Sequence, residues 1–189
     1  MLTGEDKTKR DSERKALKAY WKGNQDKPFA LDRHDAYYVC EVIFPSISAH
    51  LRWPLRAFVV GMICLIPIST LKVLFLRLMG VKIGKRVYIA PNVLIDPLYP
   101  GLIELGDDCF LGMGCKLFAH EYTATHFRIG RVLVGKGSVI GAYSIIRSGV
   151  SVGSKVTVGF NSYVNRDVPD GETVGGVPAK PLKSHPGDG

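Results

Sequence analysis

The chain has 189 residues, enough for one sizeable core or one domain with an appendage. An apolar content of 46% excludes a disordered chain, and 21 glycines point to a fold with many sharp corners. The net charge of +8 is lopsided: residues 1–86 carry 16 Lys and Arg against 8 Asp and Glu, whereas residues 87–189 carry 9 of each, a neutral half without the aromatic–basic series of a nucleic-acid binder.

The first twenty residues are charged where the apolar core of a signal peptide would stand. Cys40, Cys64, Cys109 and Cys115 form no CxxC pair and no zinc-finger spacing. Both features fit a reducing cytoplasm, with the cysteines as small buried apolar residues. Residues 12–22 place Ala16, Leu17, Tyr20 and Trp21 on one helical face, a turn-rich stretch spans Gly23–Pro28, and Asp35 can cap a second helix. Residues 55–79 are the most apolar part of the chain. Their uncharged core, Ala57–Leu71, is fifteen residues, or about 22 Å of helix against about 30 Å of hydrocarbon, and Pro67 interrupts it. That is short for a span. Two helices lying at a membrane face, with Arg52, Arg56, Lys72 and Arg77 reaching headgroups, fit better, and capping a neighbouring domain is the soluble alternative. Residues 1–80 are thus expected to be a helical, basic and apolar extension making peripheral membrane contact through 52–79.

From residue 81 the chain repeats every six residues. It reads VKIGKR, VYIAPN, VLIDPL, then IELGDD, CFLGMG, CKLFAH, and after an insertion VLVGKG, SVIGAY, SIIRSG, VSVGSK, VTVGFN, SYVNRD. The third residue of each unit is aliphatic, and Gly, Ala or Asp usually follows. Neither a helical period nor strand alternation predicts this. Very short strands joined by tight corners do, with the aliphatic pointing inward and the small residue after it letting the backbone turn. Three units close a triangular coil, and twelve make four coils stacked by parallel pairing. The insertion HEYTATHFRIG, from His120, breaks the frame, so residues 121–131 must leave a corner as a loop.

This pattern resembles the hexapeptide-repeat acyltransferases, and the phrase HEYT is similar to the H-D-Y-T of colanic-acid-type polysaccharide O-acetyltransferases. The resemblance covers residues 81–183 and implies an all-β left-handed parallel β-helix, a homotrimer, and a loop over the cleft between subunits. It places His120 as general base, and a ring titrating near neutrality suits removal of a sugar hydroxyl proton. A base needs an orienting partner; Asp96, at the corner before the first break, and Glu121, beside the histidine, are both candidates. His126 and Arg128 would line the acceptor pocket. The carbonic anhydrases of this fold need three histidines on the prism, and His34, His50 and His185 lie outside the repeats, so no metal is expected.

The ending Asp167-Val-Pro169 and Gly-Gly-Val-Pro-Ala-Lys, 175–180, resembles family members that use acetyl-CoA. It implies Ala142 and Phe160 at corners along the coenzyme, with Arg166, Lys180 and Lys183 meeting phosphates. Two positions depart from the family: Val139 where a Trp is usual, and Phe160 where an Ala is usual, so the acyl chain is less determined than the CoA. Residues 184–189 read as an unstructured tail. The expected activity is direct acetyl transfer from acetyl-CoA to a sugar hydroxyl of a lipid-linked or nascent polysaccharide at the inner face of a bacterial cytoplasmic membrane. The alternatives are a non-catalytic trimeric membrane scaffold and an N- or O-acyltransferase for a small soluble acceptor.

Overall fold

The computed structural model describes residues 4–23, 25, 27–32, 47–123 and 126–182. The Asp35 cap, Cys40, His34, Lys183, His185 and the tail lie outside the described residues, as does the side chain of Arg52.

Twelve two- or three-residue strands stack into three parallel faces. Face one holds β2 (Lys82–Ile83), β5 (Ile103–Leu105), β10 (Val132–Val134) and β13 (Ser151–Val152). Face two holds β3 (Tyr88–Ile89), β6 (Phe110–Leu111), β11 (Val139–Ile140) and β14 (Thr157–Val158), and face three holds β4 (Leu94–Ile95), β7 (Lys116–Leu117), β12 (Ile145–Ile146) and β15 (Tyr163–Val164). The register aligns the third residue of each unit from coil to coil, as in Ile95, Leu117, Ile146 and Val164. Of these twelve aliphatics only Ile83, in the first coil, is not fully buried. Each buried Ile or Leu contributes about 1.5–3 kcal/mol, so the columns dominate the stability of the prism. A partial fifth turn follows, in which Val168 bridges Val152 and β16 (Thr173–Gly175) pairs with β14. There β17 (Lys180–Pro181) folds back antiparallel on β16 and closes that end.

The glycine after each aliphatic does a different job from the one its position suggests. Positive φ falls later in the unit, on Asn92 (58°), Tyr143 (60°), Lys155 (56°) and Asn161 (52°). Gly135 is not among the positive-φ residues, but a Cβ on it would lie 2.5 Å from the Gly153 carbonyl carbon and the Ser154 nitrogen. These glycines let neighbouring coils touch; they do not make the turn. Serines complete the stack: Ser138 Oγ donates to the Gly153 carbonyl at 2.7 Å and accepts from the Val156 amide at 3.0 Å.

The N-terminal extension contains α1 (Gly4–Lys22), β1 (Phe29–Asp32), α2 (Ile47–Leu65) and α3 (Ser69–Leu78). Pro67 separates α2 from α3, and α3 ends at Gly80, whose φ of +99° permits the Val81 amide to reach the Leu76 carbonyl at 3.0 Å. Val60, Ile63, Cys64, Val73 and Leu76 bury the inner face against the first coil, so the two helices cap that end of the prism. The outer face is left apolar and exposed, with Leu55, Phe58, Met62, Leu65, Ile68 and Leu78 each more than half accessible. Lys72 does not reach outward as the sequence suggests. Its side chain is fully buried, and its ammonium donates to the Ala90 carbonyl at 2.7 Å beside the thiols of Cys64 and Cys115, with burial lowering its pKa. Arg77 bonds the Ile83 and Gly84 carbonyls, and Arg56 the Met79 carbonyl, so both also serve the cap.

Candidate functional site

Coil two leaves face three after Leu117, and the insertion begins there. The insertion forms a hairpin, with β8 (His120–Tyr122) antiparallel to β9 (His126–Ile129). The alternation in HFRI explains it: Phe127 and Ile129 are buried, while His126 is exposed and Arg128 half-buried. The outer edge of β9 is covered by β1, Phe29 opposite Ile129 and Leu31 opposite Phe127, so the N-terminal extension supplies the third strand of this small sheet. Sequence periodicity detects the break but not this partner, which comes from far upstream.

At the hairpin base His120 Nδ1 stands 2.5 Å from Asp96 Oδ2. Asp96 is fully buried, and four backbone amides point at it: Leu98 and Tyr99 at 2.9 Å on Oδ1, Ala119 at 2.8 Å and His120 at 3.0 Å on Oδ2. The sequence produces this locally, because Asp96 begins the DPLYPG break and its side chain turns back on the amides two and three residues on. A buried carboxyl group surrounded by donors acts as an acceptor throughout, so Nδ1 carries the proton and Nε2 is left as a basic lone pair.

Glu121 points elsewhere. Its carboxylate takes a bidentate pair of bonds from Arg147, 2.8 and 2.9 Å, and a third from Ser148 Oγ at 2.6 Å. Burial pushes this carboxyl up, but the bonds from Arg147 and Ser148 and the Arg147 charge outweigh it and leave the group below its ordinary value. Glu121 therefore pins the hairpin to the third coil, and Asp96 alone of the two touches the imidazole.

A ring that sequence spacing does not single out completes the histidine's surroundings. Tyr99, 6% exposed, meets His120 edge to face at 5.4 Å. Burial first, and the Asp96 charge second, raise the phenol well above the usual tyrosine range, so it stays neutral. Trp53 of α2 and Trp21 of α1 both pack on Tyr99.

The remaining sequence candidates fall on two edges of the prism. Ala142 and Phe160 occupy the edge between faces two and three in successive coils, tied by the Asn161 amide on the Ala142 carbonyl at 2.9 Å. Phe160 is 81% exposed, and Lys180 lies two strands further on, paired with Gly175, which itself stacks on Gly159. His120 and Arg166 follow face three instead, on the next edge, in coils two and four. Arg166 also lines a cavity of about 250 Å³ with Val164, Glu172 and Ala179 at the closed end. Arg128 lies across Gly149, where a Cβ would come within 3.2 Å of its guanidinium. His126 sits towards the hairpin tip, its amide on Thr123 Oγ1 at 3.0 Å, so the hairpin keeps it apart from His120. Among the described residues no three His, Cys, Asp or Glu gather to hold a metal ion.

Against known proteins, residues 131–166 match the family model described as bacterial transferase hexapeptide (six repeats). The chain is 39% identical over 106 residues to the putative acetyltransferase YvoF of Bacillus subtilis (strain 168), covering 56% of this chain but only 60% of that protein. It is 28% identical over 128 residues to the putative colanic acid biosynthesis acetyltransferase WcaF of Escherichia coli (strain K12), covering 55% of this chain and 69% of WcaF. Protein CapG of Staphylococcus aureus is 33% identical over 118 residues, 58% of this chain and 69% of CapG. In structure, a hexapeptide-repeat acetyltransferase of Vibrio cholerae O1 biovar eltor, complexed with acetyl coenzyme A, shares the fold at a TM-score of 0.60 and 21% identity, covering 74% of this chain and 90% of that one. Twelve six-residue units in four coils, matched by sequence and by fold, make this chain a member of the bacterial hexapeptide-repeat transferase family.

Proposed function

We propose that the protein transfers an acetyl group from acetyl-CoA to a sugar hydroxyl, with His120 as general base. The observation that carries this reading is the Asp96–His120 pair at the hairpin base. Holding a buried carboxylate on five N–H donors costs desolvation that a purely structural corner has no reason to bear, and its effect is to fix one tautomer of a partly buried imidazole. Nε2 takes the hydroxyl proton as the sugar oxygen attacks the thioester carbonyl. A C–O bond forms, the C–S bond breaks, and the proton passes from His120 to the departing CoA thiolate. The imidazolium formed on the way is balanced by Asp96. Among the described residues no side chain stands out as an acyl carrier: Cys109 and Cys115 are buried, and burial raises their thiols, Cys115 to about 12. Transfer is therefore direct.

The donor residues fit a CoA laid lengthwise along the prism. Ala142 offers a small side chain and Phe160 an exposed ring in consecutive layers of one edge, and Lys180 offers a cation two strands beyond. That edge is one face away from His120 in the same protomer, so a donor there meets the histidine of a neighbouring copy. This geometry, with the fold neighbours, supports a homotrimer of left-handed coils with the groove between protomers as the site. Arg166, on the histidine's edge, faces the same groove, with Lys183 as a further phosphate ligand. His126 and Arg128 would meet the acceptor. The names of WcaF and the exposed apolar face of α2 and α3 support a lipid-linked or nascent polysaccharide acceptor met at the inner membrane face. Among the described residues no helix is long and apolar enough to cross a membrane.

Calorimetric titration with acetyl-CoA, followed by thiol release with sugar acceptors and mass analysis of the product, tests the reading. Saturable binding, weaker in Lys180→Ala, and an acetylated sugar are expected. Folded protein that binds no acetyl-CoA refutes it in favour of a scaffold.

A further inference from the structure

The acid–base chemistry above needs Asp96 and His120; it does not need the aromatic stack behind them. Trp21 lies on Tyr99 nearly parallel, centroids 5.6 Å apart at 23°, and Tyr99 in turn abuts His120. Trp53 also meets Tyr99, edge-on at 4.8 Å. The rings come from α1, the break after coil one, α2 and the hairpin base, four stretches that converge only in the folded protein.

Their exposures differ in an instructive way. Tyr99 is 6% accessible and packs as a core residue, whereas Trp21 keeps 41% of its surface. A helix that only covered the prism would bury this position or make it polar. Trp21 is instead presented one ring away from the base, across Tyr99, and its placement is fixed: Tyr20, its neighbour, packs on Phe29 at 5.8 Å, and Phe29 belongs to the strand hydrogen-bonded to the hairpin that carries His120. An exposed indole held at a fixed distance from an imidazole is a platform for something flat and partly apolar. The C–H face of a pyranose ring has that character, with its hydroxyls at the rim where a base can reach them.

We propose that Trp21 is the acceptor-stacking residue, so that α1 selects which sugar ring is presented to His120. This rests on the acyl-transfer reading and adds the acceptor subsite to it. The adenine of the donor is the competing flat ligand, and the test separates the two.

The full-length protein and its Trp21→Ala and Trp21→Phe variants are titrated with acetyl-CoA and, separately, with maltose and methyl β-galactoside as probe sugars, followed by saturation-transfer NMR. The expected result is that Trp21→Ala raises the sugar Kd about tenfold and lowers Tm by a few degrees through the lost stacking on Tyr99, Trp21→Phe recovers most of the affinity, and acetyl-CoA affinity stays unchanged. Sugar binding equal in wild type and Trp21→Ala overturns the proposal, as does a loss confined to acetyl-CoA, or wild-type protein that binds neither sugar. Failure of the acyl-transfer reading shows separately, as wild-type protein that binds no acetyl-CoA.

Discussion

Replacing Asp96 with Asn keeps the shape of the side chain and turns one acceptor oxygen into a donor, which makes it the sharpest probe of the site. Oδ1 accepts from two amides, and Oδ2 from two amides and the imidazole. Whichever way the new amide turns, its NH2 faces at least two N–H groups in a fully buried position. Each buried donor left unpaired costs about 1–3 kcal/mol, so roughly 2–6 kcal/mol of stability is lost. At about 2–4 °C per kcal/mol for a chain of this size, Tm should fall by about 4–24 °C. If the NH2 takes the Oδ2 place, Nδ1 must become the acceptor, the ring proton moves to Nε2, and the base is gone. In the other orientation a neutral amide faces the imidazolium that forms during transfer. Thiol release from acetyl-CoA with a sugar acceptor should therefore drop about 10²–10⁴-fold at temperatures where the variant is folded. His120→Gln should lose as much activity with a smaller fall in Tm, since His120 is half-buried and its removal orphans no such cluster. A folded Asp96→Asn protein with near wild-type kcat would show that the pair is structural.

Gly135→Ala should abolish soluble protein or leave it unfolded in circular dichroism, because a Cβ would sit 2.5 Å from the backbone of the next coil. Arg147→Met should loosen the hairpin, read as faster hydrogen exchange at 120–129, with weaker catalysis. Because the Glu121 carboxyl is held below its ordinary 4.5, its contribution is complete above that pH and lost as pH falls through the lowered value; acid titration should therefore destabilise the wild type there and Arg147→Met less. Phe160→Ala, at an 81% exposed ring, should leave Tm within about 2 °C while changing the relative rates with acetyl and longer acyl donors.

The prism was legible because its cause is periodic: an aliphatic that must be buried and a glycine that must let two coils touch recur on the same six-residue clock. Even so, the glycine's reason was visible only in three dimensions, since it is a matter of approach between coils and the left-handed residues lie elsewhere. His120 was marked by breaking the period, and Asp96 by standing at the preceding break. Choosing between Asp96 and Glu121 needed the fold, because residues 24 apart meet across two coils whereas the adjacent carboxylate turns to Arg147. Tyr99 and β1 left no trace in spacing, and Trp21 showed only as part of a helical apolar face; a Tyr in a Pro-Gly break and a Trp at a helix end are ordinary until packing joins them. The burial of Lys72 was equally hidden, since a basic residue at the end of an apolar run reads as a headgroup ligand.

Pairing between β1 and β9 joins residues about a hundred positions apart, whereas coil-to-coil pairings join residues a turn or so away along the chain. Local pairings form early and long loops close late, so the prism can assemble coil by coil before the first residues of the chain return to it. The walls of the candidate site are then the last piece laid down. A chain clipped after Asp32 would still stack its coils and keep Asp96 against His120, but the hairpin would present a bare strand edge and the indole would be missing. The segment carrying α1 and β1 is thus separable from the prism in folding and inseparable from it in the site, and changing that segment alone would re-dress one base for a different acceptor.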